Sequence, residues 1–175
     1  MAVTAQGAAR PASSVGREEW LLAVSELVAA ACSAQAVHRP SLVLFMLGRA
    51  QRRESSSVTF QDLEIAIGPT LEQFGRAKKA EVLLPFWHLQ SAPFWEVQDA
   101  DALPRRAGKD RPTRSALVRS RAVGRVKDNW WACLASADLV GALGEAILAG
   151  LWQTAADQDR VCQLLRFRRT RSEPR

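Results

Sequence analysis

Two Phe-Trp pairs, Phe86-Trp87 and Phe94-Trp95, sit eight positions apart in the run Leu83-Leu84-Pro85-Phe86-Trp87-His88-Leu89-Gln90-Ser91-Ala92-Pro93-Phe94-Trp95-Glu96-Val97. Four large rings in so short a stretch need cover from other elements, so the remaining chain must pack around this one. Phe86–Gln90 and Phe94–Val97 carry aromatic and β-branched residues and predict two short strands. Ser91-Ala92-Pro93 supplies a tight connection between them, which predicts a β-hairpin. Alternation would place Phe86, His88 and Gln90 on one face, with Trp87 and Leu89 on the other. Pro85 has no N–H to give a ladder and belongs at a strand start or edge. Trp87 and Trp95 are expected to pack inward and fix the hairpin on helices, and Trp20, Trp130, Trp131 and Trp152 are expected in the core.

The helices around the hairpin are written in the apolar spacing. Trp20, Leu21, Val24, Leu27, Val28 and Ala31 keep helical period from Arg17 to about Ala34, with Glu18 and Glu19 in the first turn where the dipole favours acids. Pro40 suits the first turn of a second helix carrying Leu42, Val43, Phe45, Met46, Leu47 and Ala50. That helix is apolar nearly all round and should be the buried one, ending in the basic run Arg49, Arg52 and Arg53. Ser57–Phe60 predicts a short strand or cap segment, and Thr59 with Asp62 follows capping-box spacing before a third helix with Leu63, Ile65, Ile67 and Leu71 on its apolar side. Gly68-Pro69 is a candidate break in it. Pro112-Thr113 starts a short helix through Val118, and two more are expected near 137–151 and 155–166.

The fold class predicted is therefore α+β, mostly helical, with helices around a small antiparallel hairpin or sheet and a loosely winged-helix-like outline. Residues 1–16 read as a disordered leader, 17–166 as one domain, and 167–175 as a basic tail or truncated linker.

Charge points toward the partner. The chain of 175 residues has 24 Lys and Arg against 18 Asp and Glu, a formal net charge of +6, which makes a polyanion, and nucleic acid above all, the first partner to consider. The densest stretch runs from Arg105 to Lys127, with Arg105, Arg106, Lys109, Arg111 and Arg114 at its start and Asp110 as its only acid. A second basic loop, Arg76 to Lys79, precedes the hairpin. His38-Arg39, just before a helix, can aim side chains and free backbone N–H groups at a phosphate. Cys32, Cys133 and Cys162 form no C-x-x-C pair, and neither His38 nor His88 stands at metal-ligand spacing from them, which suits core thiols in a reducing cytoplasm. No apolar run approaches a membrane span. Phosphate-loop, nucleophile-elbow and zinc-protease motifs do not occur, and the acids are scattered, so no catalysis and no cofactor is expected of this chain.

The order and spacing of these pieces resemble a known family. His38-Arg39-Pro40, then Leu42 to Arg49, then a Ser/Val/Phe strand, then Pro85-Phe86-Trp87-His88-Leu89-Gln90 with Phe94-Trp95-Glu96-Val97, is similar to the N-terminal sulfur-binding domain of type IV, modification-dependent restriction endonucleases. The resemblance covers roughly residues 17–165. It implies recognition of phosphorothioate-modified double-stranded DNA, in which sulfur replaces a non-bridging phosphate oxygen, with cutting done by an HNH domain elsewhere in a parent protein. By position it implies a sulfur cavity at Leu84, Pro85 and His88, and a basic contact at His38 and Arg39. Further phosphate or base contacts are expected from Lys78, Lys79, Arg105, Arg106, Lys109, Arg111 and Arg114, with Arg111 first and Lys109 second at the modified phosphate. A homodimer and a downstream nuclease domain stay open. So do two other readings: a winged-helix-like regulator of unmodified DNA, and a protein-interaction domain whose charge serves solubility.

Overall fold

The computed structural model describes residues 15–75 and 81–169. Lys78 and Lys79, most of the expected leader and the end of the basic tail lie outside those residues.

The most buried element is the one the sequence marks as apolar all round. Helix α2 (His38–Gln51) buries every residue from Pro40 to Gly48, and α1 (Arg17–Ala34), α3 (Phe60–Phe74) and α7 (Ala137–Leu151) pack around it. Helix α8 (Ala155–Leu165) closes the layer against α3. Thr59, Ser136 and Thr154 each cap their helix by accepting a hydrogen bond from the backbone N–H three residues on, satisfying donors that the first turn leaves unpaired. Thr59 also donates its hydroxyl to the Asp62 carboxylate at 2.7 Å. Helix α3 runs unbroken through Pro69, correcting the expected break at Gly68-Pro69. Ile65 is not on the apolar side as expected but 70% exposed, two positions from the buried Leu63 and Ile67; the carbonyl that Pro69 leaves without its helical donor belongs to it, so water can take the donor's place.

A three-stranded antiparallel sheet in the order β1-β3-β2 lies beside the helices, made of β1 (Ser57–Thr59), β2 (Trp95–Val97) and β3 (Val123–Val126). Its centre is β3, with Ser57 opposite Arg125 on one side and Glu96 opposite Arg125 on the other. Arg125 donates to Glu96 across the pair at 2.6 Å. Gly124 is required at the middle of β3, because a Cβ there would lie 2.2 Å from Cζ2 of Trp95 and 2.8 Å from Cε2 of Phe86.

The expected hairpin is not formed. Its second arm is β2, but Leu83–His88 is a short helix, α4, and Leu89–Ser91 continues it as a 3-10 turn. Pro85 is the third residue of α4, in the first turn, where the missing N–H would have had no helical partner. Tertiary contacts decide the outcome over local preference. The Trp95 indole N–H donates to the Phe86 carbonyl at 3.0 Å, and the Phe86 ring sits edge-on to Phe60 at 5.2 Å and to Trp95 at 6.1 Å. Trp87 and Trp95 are buried as expected, as are Trp20, Trp130 and Trp152, while Trp131 is only half-buried. Trp20 stacks on Phe94 at 4.8 Å and donates its N–H to the Trp130 carbonyl. The two helices α5 (Arg114–Arg119) and α6 (Asp128–Cys133) flank β3 in sequence.

The segment after α8 is held in place. Phe167 is buried over Gly144, the Gln51 side chain pairs with both the N–H and the carbonyl of Arg168, and Arg169 makes a two-pronged contact to Glu145 at 2.8 and 2.9 Å. At the end of α2, Arg49 and Arg52 both pair with Glu54, whose carboxyl the Arg52 hydrogen bond holds below its ordinary range. That part of the basic run is therefore spent on the fold.

Candidate nucleic-acid interface

Helix geometry assembles the first site. Leu84 and His88 are four residues apart, so in a helix they rise by about 6 Å and lie on one face, whereas a strand would separate them by about 13 Å. Pro85 adjoins them. All three line a cavity of about 490 Å³ with His38, Arg39 and Pro40 from the start of α2. Its far wall is α1, contributing mostly alanine side chains (Ala23, Ala30, Ala31, Ala34) with Leu27 and Glu26, and Leu89, Ala92 and Pro93 complete the rim. That wall left no sign in the sequence, because alanines on a helix carry no chemical signal.

Polar groups in this cavity are few: Glu26 from α1, His38 and Arg39 from α2, and His88 and Ser91 from α4 and the turn after it. Arg39 is exposed, and His38 and His88 are half-buried. Burial pushes the His38 imidazole below its ordinary value of 6.5, so it is uncharged at neutral pH. An uncharged imidazole still offers one N–H donor. The arrangement is a largely apolar cup lined also by one guanidinium, two imidazoles and the Glu26 carboxylate, so an anion with one weakly hydrated face fits it on the Arg39 side, away from Glu26.

The remaining predicted residues divide by position. Arg106, Lys109, Arg111 and Arg114 line a second cavity of about 480 Å³ with Glu64, Glu81, Phe60, Val82 and Leu83. It therefore shares α4 with the first cavity, which takes Leu84, Pro85 and His88 while the second takes Leu83. The loop carrying the cations is pinched at its base by an antiparallel bridge between Arg105 and Pro112 and turns at Gly108, whose φ of +72° suits glycine. Arg114 is committed internally, with Nε and Nη2 donating to the two Glu64 oxygens at 2.5 and 2.6 Å. Arg105 is committed too, lying 5.2 Å over the Trp87 ring and donating to the Ala100 carbonyl. Among the described residues, Arg106, Lys109 and Arg111 have no side-chain partner and point their charge at solvent or at a ligand. Arg111 thus stands in the second cavity rather than among the residues lining the first.

The chain from residue 18 to 166 matches the model of the ScoMcrA-like DNA sulfur-binding domain family. The chain belongs to that family. Among solved structures this sulfur-binding domain is similar to the sulfur-binding domain of ScoMcrA complexed with phosphorothioated DNA, with a TM-score of 0.64, 23% identity, and 74% of this chain and 87% of that one covered. The sulfur-binding domain of SprMcrA complexed with phosphorothioated DNA gives a TM-score of 0.60 at 22% identity, covering 75% and 81%. The type IV phosphorothioation-dependent restriction endonuclease ScoMcrA gives 0.62 at 23%, with 74% of this chain matching only 26% of that one. At these identities the structural likeness is one of fold. No curated protein matches the chain. Among the described residues, no helix of this sulfur-binding domain is long and apolar enough to cross a membrane.

Proposed function

We propose that this domain binds phosphorothioate-modified double-stranded DNA, seating the sulfur on Leu84, Pro85 and His88 while His38 and Arg39 hold the phosphate. One observation carries the reading: the cavity that gathers Leu84, Pro85 and His88 from α4 also gathers His38 and Arg39 from α2. Sulfur is larger, softer and less strongly hydrated than oxygen, so an apolar cup loses little by drying it. A phosphate oxygen in the same place gives up water without a replacement hydrogen bond from Leu84 or Pro85, costing about 1–3 kcal/mol. That amounts to roughly ten- to hundredfold preference for sulfur. Arg106, Lys109 and Arg111 supply further contacts to phosphates or bases along the duplex, joined by Lys78 and Lys79, which precede α4 in sequence. Of the three cysteines expected as core thiols only Cys162 is buried, Cys133 being half-buried and Cys32 exposed on α1; three unpaired thiols suit a reducing cytoplasm, and the domain serves there as the reading module of a modification-dependent restriction system, cutting being the work of a separate nuclease domain.

The test compares one duplex with and without the sulfur at fixed salt, for the wild type and for Pro85→Asp. The wild type prefers the modified duplex by tenfold or more, and Pro85→Asp, with its fold verified by thermal unfolding, loses that preference. Equal affinity of the wild type for both duplexes would overturn the reading in favour of a reader of unmodified DNA. Failure to bind either duplex at low salt would favour a protein-interaction domain.

A further inference from the structure

We propose that His88 sets how strictly the cavity excludes oxygen, acting as a specificity-determining residue that relaxes the preference for sulfur. The inference rests on the binding mode proposed above and extends it to a residue whose chemistry runs against the rest of the cup. Leu84 and Pro85 present no side-chain donor, and Pro85 has no N–H at all, so the α4 wall is inert toward an acceptor except at its last residue. His88 is that residue, four positions after Leu84 on the same helical face and half-buried at the cavity rim.

Its imidazole has donor capacity and nothing to spend it on. Among the described residues the His88 side chain makes no hydrogen bond or ion pair. Only its backbone carbonyl is used, accepting from the Ser91 hydroxyl at 2.9 Å. An imidazole with an unspent N–H beside a bound anion will donate to it, and an oxygen accepts such a bond better than a sulfur does. His88 therefore returns to a phosphate oxygen part of what Leu84 and Pro85 deny it. The consequence is a domain that holds modified DNA tightly yet tolerates unmodified DNA more than a fully apolar cup would. His38 and Arg39 do not have this effect, because they belong to α2 rather than to the α4 wall and hold the phosphate in either duplex.

The experiment measures the ratio of dissociation constants for unmodified and modified duplexes of one sequence, at fixed salt and pH, for the wild type, His88→Leu and His88→Gln. Leucine fills a similar volume without a donor, and glutamine keeps a donor on a flexible stem. His88→Leu raises the ratio roughly five- to tenfold, mainly by weakening the unmodified duplex. His88→Gln stays near the wild type. A ratio that is unchanged or lower in His88→Leu, or one that rises equally in both variants, overturns the proposal. The two levels of the argument separate cleanly. A wild type that prefers sulfur but is indifferent to His88→Leu keeps the binding mode and loses the role of His88. Ratios of one in the wild type remove the binding mode, and the role of His88 with it, whatever the two variants show.

Discussion

His38 begins α2 with its imidazole half-buried and, because of that burial, below its ordinary value of 6.5. The same shift has opposite consequences for folding and for binding. In the unfolded chain the imidazole takes up its proton first as pH falls below about 6.5, so stability declines through that window and is fully restored above it. A bound phosphate favours the charged form, so affinity for DNA should rise by about fivefold as pH drops from 7.5 to 5.5. His38→Asn should flatten both curves, as read by thermal unfolding and by titration across that range, with Glu26 and Arg39 at the same cavity left in place. A stability profile that stays steep in His38→Asn would place the titrating group elsewhere. His38, Arg39 and Pro40 were legible in the sequence because a proline after a basic pair marks a helix start with its free N–H groups. Leu84, Pro85 and His88 were legible only through the family pattern, and the alanine wall of α1 was not legible at all, since burial of alanine depends on what packs over it.

Strand propensity misled at one element, whereas helix spacing found the long helices α1, α2, α3, α7 and α8 and missed the short α6. Phe86-Trp87-His88-Leu89-Gln90 has the composition of a strand, yet Pro85 fits a helical first turn and Trp95 binds the Phe86 carbonyl, so packing overrode local preference. The error is instructive for the site, because only a helix brings Leu84 and His88 close enough to share one cavity. Strand β3 escaped notice for a different reason. Glycine weakens an isolated strand, and Val123-Gly124-Arg125-Val126 sits inside the most basic stretch of the chain. In the fold that glycine is what lets β3 lie under Trp95 and Phe86. Gly124→Ala should therefore cost about 2–3 kcal/mol and lower the Tm by roughly 5–10 °C in a thermal melt. A change of less than a degree would mean that the two rings can move aside.

The whole molecule carries a net +6, but the fold decides which of those charges are free to act. Arg49 and Arg52 are tied to Glu54, Arg125 to Glu96, Arg114 to Glu64 and Arg169 to Glu145, whereas Arg39, Arg106, Lys109 and Arg111 gather around the two cavities that flank α4. Affinity for any duplex should fall steeply with salt, and Arg39→Ala should reduce the slope of log affinity against log salt by about one while leaving the sulfur-to-oxygen ratio near that of the wild type. A slope identical to the wild type would show that Arg39 touches no phosphate. The clamp on residues 166–169 bears on mechanics rather than recognition. Helix α2 has fourteen residues and is about 20 Å long, with His38 at one end and Gln51, which grips Arg168, at the other. A force applied beyond residue 169 is thus delivered first to the end of the most buried helix, through Gln51, and to Glu145 and Phe167, about 20 Å along α2 from His38 and the cavity it lines.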